Sequence, residues 1–108
     1  MTTTPVFSSA NTRYFNALVQ DLTAFSTGNI SLTASQIVAP VLTGRPPVEG
    51  RNLYLPIAGS DVEGMVLIIR NRSTEHAFNV WGGITKVSTL APGDAVQIAC
   101  DGYNWFVV

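Results

Sequence analysis

Histidine and cysteine, residue types often used as catalytic base and nucleophile, occur once each in the 108 residues, as His76 and Cys100. His76 ends the polar run 73–76, which is typical of an exposed loop rather than of a general base in a cleft. A reactive Cys100 needs a nearby cation or a helix N-terminus, and the sequence indicates neither, so a buried and inert thiol is favoured. The G-x-S-x-G pattern of a serine hydrolase is also absent. We therefore predict that the protein is not an enzyme.

Candidate ligands for a metal or a cofactor are equally sparse. One histidine and one cysteine do not suffice for a Cys/His zinc site. Asp61 and Glu63 are two residues apart, so they either share a strand face as paired carboxylates or are solvated acids of a turn. The calcium-loop pattern and the glycine-rich phosphate loops are absent. The sequence therefore predicts no metal and no cofactor.

The charge balance restricts the classes of partner. Six Lys and Arg residues against seven Asp and Glu give a formal net charge of −1, without the basic clusters that bind nucleic acid. The longest apolar run, 65–69, is far shorter than the roughly 20 residues of a membrane-spanning helix. The start MTTTPVFSSANTRYF lacks the basic and apolar regions of a secretory signal. We expect a soluble, non-secreted protein with no nucleic-acid and no membrane partner.

Several side chains are candidates for contact with a partner. Trp81, directly before two glycines, fits a sugar-stacking platform or an interface anchor, with packing in the core as the alternative. Arg45 and Arg51 flank a loop with two adjacent prolines, and Arg70 and Arg72 fall on one face of a strand. These arginines either contact an acidic partner or are solvated ends of strands.

The N-terminal residues 1–27 are rich in Ser and Thr but also contain aromatic residues, among them Phe7, Tyr14 and Phe15. Such residues are too frequent for a disordered tail. Their spacing over 11–22 fits a short amphipathic helix, and an extended arm fits equally well. In either form we expect this segment to make assembly contacts through Phe7, Tyr14 and Phe15.

From residue 28 onward the sequence changes to short β-type runs separated by turn residues. Pro56 places the strand 52–57 at a sheet edge, and the apolar run 65–70 predicts a central strand buried on both faces. Further elements are strands at 29–33, 77–81 and 85–90, a helical turn at 34–38 and a loop at 43–50. The predicted fold class is all-β. The expected architecture is a small antiparallel β-sandwich or jelly-roll-like barrel at 28–108, with an N-terminal arm or short helix.

The last residues, AVQIACDGYNWFVV, predict a hairpin around Asp101-Gly102, a pair that two-residue turns prefer. This turn pairs Cys100 with Tyr103, Ile98 with Trp105 and Val96 with Val107, and places all six on the core face. Phe106 and Val108 then lie on the opposite face although they are apolar. The pattern indicates a second buried surface, which a contact in an oligomer would supply.

Three segments carry a resemblance to a known class of protein. NISLTASQIVAPVLTGRPPVEGRNLYLPIAG and MVLIIRNRS resemble consecutive stretches of small structural proteins of tailed-bacteriophage virions. GDAVQIACDGYNWFVV resembles the closing hairpin of those proteins, and its ending is similar to one found in phage fibre and tail proteins. Together the segments span residues 28–108.

The resemblance implies a capsid decoration, or cement, protein that binds and stabilises the lattice of the major capsid protein. It also implies a homo-oligomer, a trimer in the usual case, at the capsid surface of a virion assembled in the host cytoplasm. The candidate interface residues are Phe7, Tyr14, Phe15, Arg45, Trp81, Phe106 and Val108. The alternative is a tail or fibre component that binds a receptor or glycan, with Trp81, Tyr54 and Tyr103 in a shallow stacking site.

Overall fold

The computed structural model describes residues 18–108, which form nine β-strands in two sheets. The strands are β1 (Val19–Asp21), β2 (Ile30–Ser31), β3 (Val41–Gly44), β4 (Arg51–Leu55), β5 (Val66–Asn71), β6 (Phe78–Gly82), β7 (Thr85–Leu90), β8 (Ala95–Cys100) and β9 (Trp105–Val107). Short 3₁₀ turns occur at Thr23–Ser26 and Ala34–Gln36, and residues 18–108 contain no α-helix. The predicted all-β class is confirmed.

The two sheets are mixed, with strand orders β1-β3-β5-β8-β9 and β2-β4-β6-β7. Up to β6 the chain alternates between the sheets. Neighbouring strands of the same sheet are parallel in this part of the chain. The connection between them includes one strand of the other sheet, and parallel neighbours need such a long crossover connection. Antiparallel pairing, which the sequence predicted throughout, is confined to β5–β8, β6–β7 and β8–β9.

Both sheets contribute to one hydrophobic core. Leu42 and Ile69 of the five-stranded sheet and Leu53 and Phe78 of the four-stranded sheet are completely buried. Phe25, from the turn after β1, packs on Phe78 with ring centroids 4.9 Å apart. Since successive side chains of a strand point to opposite faces, each sheet is left with one outer face.

The folded domain begins before the predicted boundary at residue 28. Residues 19–21 pair in parallel with β3, and Leu22 and Phe25 belong to the core. The described part of the segment 11–22 is therefore a strand rather than the helical alternative. Phe7, Tyr14 and Phe15 lie outside the described residues.

Three further predictions about strands need correction. Strand β4 is central, between β2 and β6, because Pro56 follows its last residue and interrupts no ladder. Strand β5 is central as predicted, but only alternate side chains are buried, while Val66 and Ile68 face outward. Residues 43–44 of the predicted loop continue β3. Gly44 is buried there, and only glycine fits because a Cβ atom would lie 2.6 Å from a ring carbon of Phe25.

The β8–β9 hairpin forms with a register different from the predicted one. Cys100 pairs with Trp105 and Ile98 with Val107, so the loop has four residues instead of two. The cause is local, since the Asp101 carboxylate accepts hydrogen bonds from the backbone N–H groups of both Tyr103 and Asn104, each at 2.8 Å. Tyr103 thereby leaves the core face on which it was predicted and is 85% exposed.

A register shift of two residues leaves every side chain on its face, because the strand period is two. For this reason Phe106 stays on the outer face as predicted, paired with Ala99. Val108 continues the ladder, and its N–H donates to the carbonyl of Gln97 at 3.0 Å. The prediction that Phe106 and Val108 lie on the face opposite the core is confirmed.

Candidate functional site

The outer face of the five-stranded sheet has at least one apolar side chain on each of its five strands. One row across the sheet runs from Val19 through Val41 and Ile68 to the polar Gln97 of β8, and ends at Val108. A neighbouring row consists of Val66, Ala99 and Phe106. We call these side chains the apolar face: Val19, Val41, Val66, Ile68, Ala99, Phe106 and Val108.

Five of the seven side chains of the apolar face are exposed in a single copy of the chain, and Val41 and Ala99 are half-buried. Ile68 is 40% exposed, Phe106 41% and Val108 60%. An antiparallel or mixed sheet with one solvated face normally carries polar residues on that face. The next row of the same sheet does so, with Thr43 hydrogen-bonded to Asp21 at 3.4 Å and paired with Arg70. A contiguous apolar area with a polar border is typical of an interaction surface.

The outer face of the four-stranded sheet has a different chemistry. Trp81 lies here, half-buried, and not in the core, beside Tyr54 with ring centroids 6.2 Å apart and planes inclined by 30°. The indole N–H of Trp81 donates to Oδ1 of Asn52 at 2.9 Å, and Nδ2 of Asn79 donates to the same oxygen at 3.1 Å. The hydroxyl of Thr89 donates to Oδ1 of Asn79 at 2.9 Å. We call Tyr54, Trp81, Asn52, Asn79 and Thr89 the aromatic–amide face.

Tyr103, the third aromatic residue of the predicted stacking site, is not part of this face. It lies at one end of the domain with Ile57 and Ile84, around a groove of about 260 Å³ that Trp105 also lines. Trp105 is buried, and its indole N–H donates to the carbonyl of Pro56 at 2.8 Å. The structure therefore brings together two of the three predicted aromatic residues.

The predicted arginines are dispersed. Arg45 and Arg72 line one shallow depression of about 430 Å³, together with His76. Arg70 is exposed on the polar row beside the apolar face. Arg51 is half-buried, and its Nε donates to the carbonyl of Phe25 at 3.1 Å, which is a structural contact.

The few residues whose types could serve in catalysis lie in different parts of the fold. His76 is half-buried rather than exposed, and its ring nitrogens lie 3.7 Å from carboxylate oxygens of Glu49 and Glu75. Cys100 is buried at 2% exposure as a free thiol. Asp61 and Glu63 are exposed in the turn between β4 and β5, which agrees with solvated turn acids and not with a shared strand face.

Residues 18–108 lack two further kinds of feature. Over this range, His, Cys, Asp and Glu side chains form no group of three or more that could hold a metal ion. Nor does this part of the chain contain a helix long and apolar enough to cross a membrane.

The sequence analysis did not identify two asparagines that make important hydrogen bonds, one in the core and one on the aromatic–amide face. Asn71 is completely buried at an inward position of β5, and Asn52 accepts two hydrogen bonds on the aromatic–amide face. The available signal for Asn71 was its place in the alternation Leu67, Ile69, Asn71, in which a polar residue takes a core position.

Comparison with known proteins gives a likeness of fold. No protein-family model matches the chain, and no curated protein matches its sequence. A crystallised fragment of StcE from enterohemorrhagic E. coli superposes with a TM-score of 0.51 at 20% identity, over 74% of this chain and 86% of the fragment. A chain from a chaperone–substrate complex superposes with a TM-score of 0.54 at 19% identity, over 83% of this chain but only 16% of its own length. At these identities the similarity concerns the fold alone.

Proposed function

We propose that the protein is a structural component of a tailed-phage virion, a capsid decoration protein that binds the lattice of the major capsid protein as a homo-oligomer. The observation that carries the proposal is the apolar face, which takes apolar side chains from every strand of the five-stranded sheet and has the exposed Gln97 of β8 among them. The likeness of residues 28–108 to phage virion proteins gives the biological setting. A protein of this kind works by contact and needs no catalytic group.

The apolar face is the surface through which copies of the chain associate. A surface that exposes Phe106, Ile68 and Val66 makes the protein prone to aggregation unless a partner covers it. A neighbouring copy of the chain supplies a matching apolar surface at fixed stoichiometry. A specific contact of this type buries roughly 800 Å² per partner. The polar row of Asp21, Thr43 and Arg70 borders this surface and limits its extent.

Contacts with the capsid are assigned to the N-terminal segment and to Arg45. The described chain enters the domain at β1, an edge strand of the five-stranded sheet. Phe7, Tyr14 and Phe15 precede that strand in the sequence. Many copies on one lattice then bind with high avidity even when each contact is weak.

The proposal is tested with two matched double variants of the full chain. Ile68→Ser with Phe106→Ser alters the apolar face, whereas Ile84→Ser with Tyr103→Ser removes two equally large exposed side chains at the end of the domain. Oligomeric state is measured by sedimentation velocity, and binding by co-sedimentation with capsids that lack this protein. We expect a trimer that binds capsids for the wild type and the control, and a monomer with binding reduced about tenfold or more for the first variant.

Two results would contradict the proposal. If the wild-type protein is a monomer in sedimentation velocity, the apolar face does not join copies of the chain. A wild-type protein that does not sediment with capsids would remove the assignment to the capsid surface, and would favour the tail or fibre position.

A further inference from the structure

On the aromatic–amide face, the rings of Trp81 and Tyr54 form a flat aromatic platform. Trp81 is opposite Tyr54 in the ladder, yet its indole N–H reaches the side chain of Asn52, one diagonal step away on β4. The indole therefore lies along the sheet and presents a ring face to solvent. Tyr54 extends this surface, since its ring plane is inclined to the indole by only 30°. Two such rings offer a flat apolar surface wide enough for a pyranose ring.

Next to the platform is a row of oriented amides. Asn52, Asn79 and Thr89 lie on three adjacent strands and are linked by side-chain hydrogen bonds of 2.9 to 3.1 Å. These bonds fix which end of each amide is the oxygen. Oδ1 of Asn52 already accepts two hydrogen bonds, and the described residues provide no acceptor for its own Nδ2. The row thus keeps donors in place for the hydroxyl groups of a ligand.

The charge on this face has one sign. Lys86 of β7 is paired with Trp81 across the bulge at Val80 and Trp81, and its side chain is exposed. In the ladder rows of the face, formed by Ser31, Tyr54, Trp81 and Lys86 and by Asn52, Asn79 and Thr89, Lys86 is the only charged residue. A ligand that combines an apolar ring face, several hydroxyls and a carboxylate matches this surface in shape and charge.

We propose that the aromatic–amide face binds an acidic saccharide. One sugar ring stacks on Trp81 and Tyr54, its hydroxyls bond to Asn52 and Asn79, and a carboxylate on the sugar lies at Lys86. This inference does not depend on the proposed function. The aromatic–amide face belongs to the four-stranded sheet and the apolar face to the five-stranded sheet, so a saccharide and a second copy of the chain would contact different sheets.

The two tryptophans make the test specific to the site. In ¹⁵N-labelled full-length protein the indole N–H groups of Trp81 and Trp105 give separate signals, and Trp105 is buried against Pro56 as an internal reference. The probes are trigalacturonate and 3′-sialyllactose. Their neutral counterparts are the methyl ester of trigalacturonate, in which each carboxylate is replaced by an uncharged ester, and lactose. We expect the Trp81 signal to move with the acidic probes while the Trp105 signal stays in place.

Two variants and a matched control measure how much Trp81 and Lys86 each contribute to the affinity for the acidic probes. Trp81→Ala lowers the affinity for the acidic probes by about tenfold, the typical effect of losing one stacked aromatic residue. Lys86→Gln keeps the fold, because the side chain is exposed, and lowers the affinity for trigalacturonate by about fivefold, to that of its methyl ester. Arg70→Gln removes the same charge from the opposite face and leaves the affinity unchanged.

Any of three outcomes overturns the inference. The first is no shift of the Trp81 signal with either acidic probe. The second is equal affinity for the acidic and neutral members of each pair. The third is a change in oligomeric state of Trp81→Ala, which would make this face a protein contact. None of these outcomes concerns the apolar face, so failure here is distinguishable from failure of the capsid proposal.

Discussion

At the scale of single residues, Asn71 joins three segments inside the core. Its Nδ2 donates to the carbonyls of His76 and Leu90 at 2.8 and 2.9 Å, and its Oδ1 accepts from the N–H of Ser73 at 2.8 Å. The side chain is completely buried, so no water can replace these bonds. The end of β5 is thereby fixed to the loop that follows it and to the end of β7.

We predict that Asn71→Leu lowers the free energy of unfolding by about 2–4 kcal/mol. The variant has a similar volume but removes the hydrogen-bond partner of the buried Leu90 carbonyl and Ser73 N–H, and of the half-buried His76 carbonyl. Asn104→Leu makes the same exchange at an exposed loop position and should change stability by less than about 0.5 kcal/mol. Urea titrations of both variants measure the difference. Equal destabilisation would show that the bonds of Asn71 contribute nothing particular.

At the scale of elements, the β8–β9 loop depends on one carboxylate. Hydrogen bonds from the backbone N–H groups of Asn104 and Tyr103 stabilise the ionised form and lower the pKa of Asp101 from its ordinary value of 3.8. Since the folded-state pKa is the lower one, the stabilisation is complete above the unfolded-state value. It is lost as the pH falls through the folded-state pKa.

We therefore expect the four-residue loop to loosen only in acid, below about pH 3.8. An NMR titration should move the amide signals of Tyr103 and Asn104 together, with a midpoint below that value. In Asp101→Asn, whose side chain still has an oxygen acceptor but does not titrate, this movement should disappear. A midpoint above 3.8 in the wild type would contradict the role given to the two N–H groups.

The elements also show what the sequence can and cannot predict. Alternation of apolar and polar residues assigns faces, and this placed Phe106 and Val108 correctly. Alternation does not identify the partner strand, so the parallel pairing of β3 with β5, through a crossover in the other sheet, was not predictable from it. The hairpin register was missed for a local reason, because the side-chain bonds of Asp101 lengthen the loop that Asp101-Gly102 would otherwise close.

The candidate site was predicted in part for the same reasons. Trp81 and Tyr54 are adjacent because β4 and β6 are parallel neighbours in register, although the two residues are far apart in the sequence. The hairpin loop carries Tyr103 away from them. The positions of the Asn52 and Asn79 side chains at the site depend on hydrogen bonds between neighbouring strands. No pattern in a single sequence predicts such bonds.

At the scale of the whole molecule, two outer faces of unlike chemistry lie on either side of one core. The apolar face is suited to a neighbouring copy of the chain, and the aromatic–amide face to a polar ligand with an apolar ring surface. A net charge of −1 leaves association to surface shape and apolar burial rather than to long-range attraction.

The proposal that the protein belongs to a virion is tested most directly by quantitative mass spectrometry of purified phage particles from the source of this sequence. We expect the protein to be present in fixed proportion to the major capsid protein, at copy numbers comparable to it. A protein confined to a few copies per particle would contradict a lattice-wide decoration role and favour the tail or fibre. Absence from the particles would contradict the virion assignment itself.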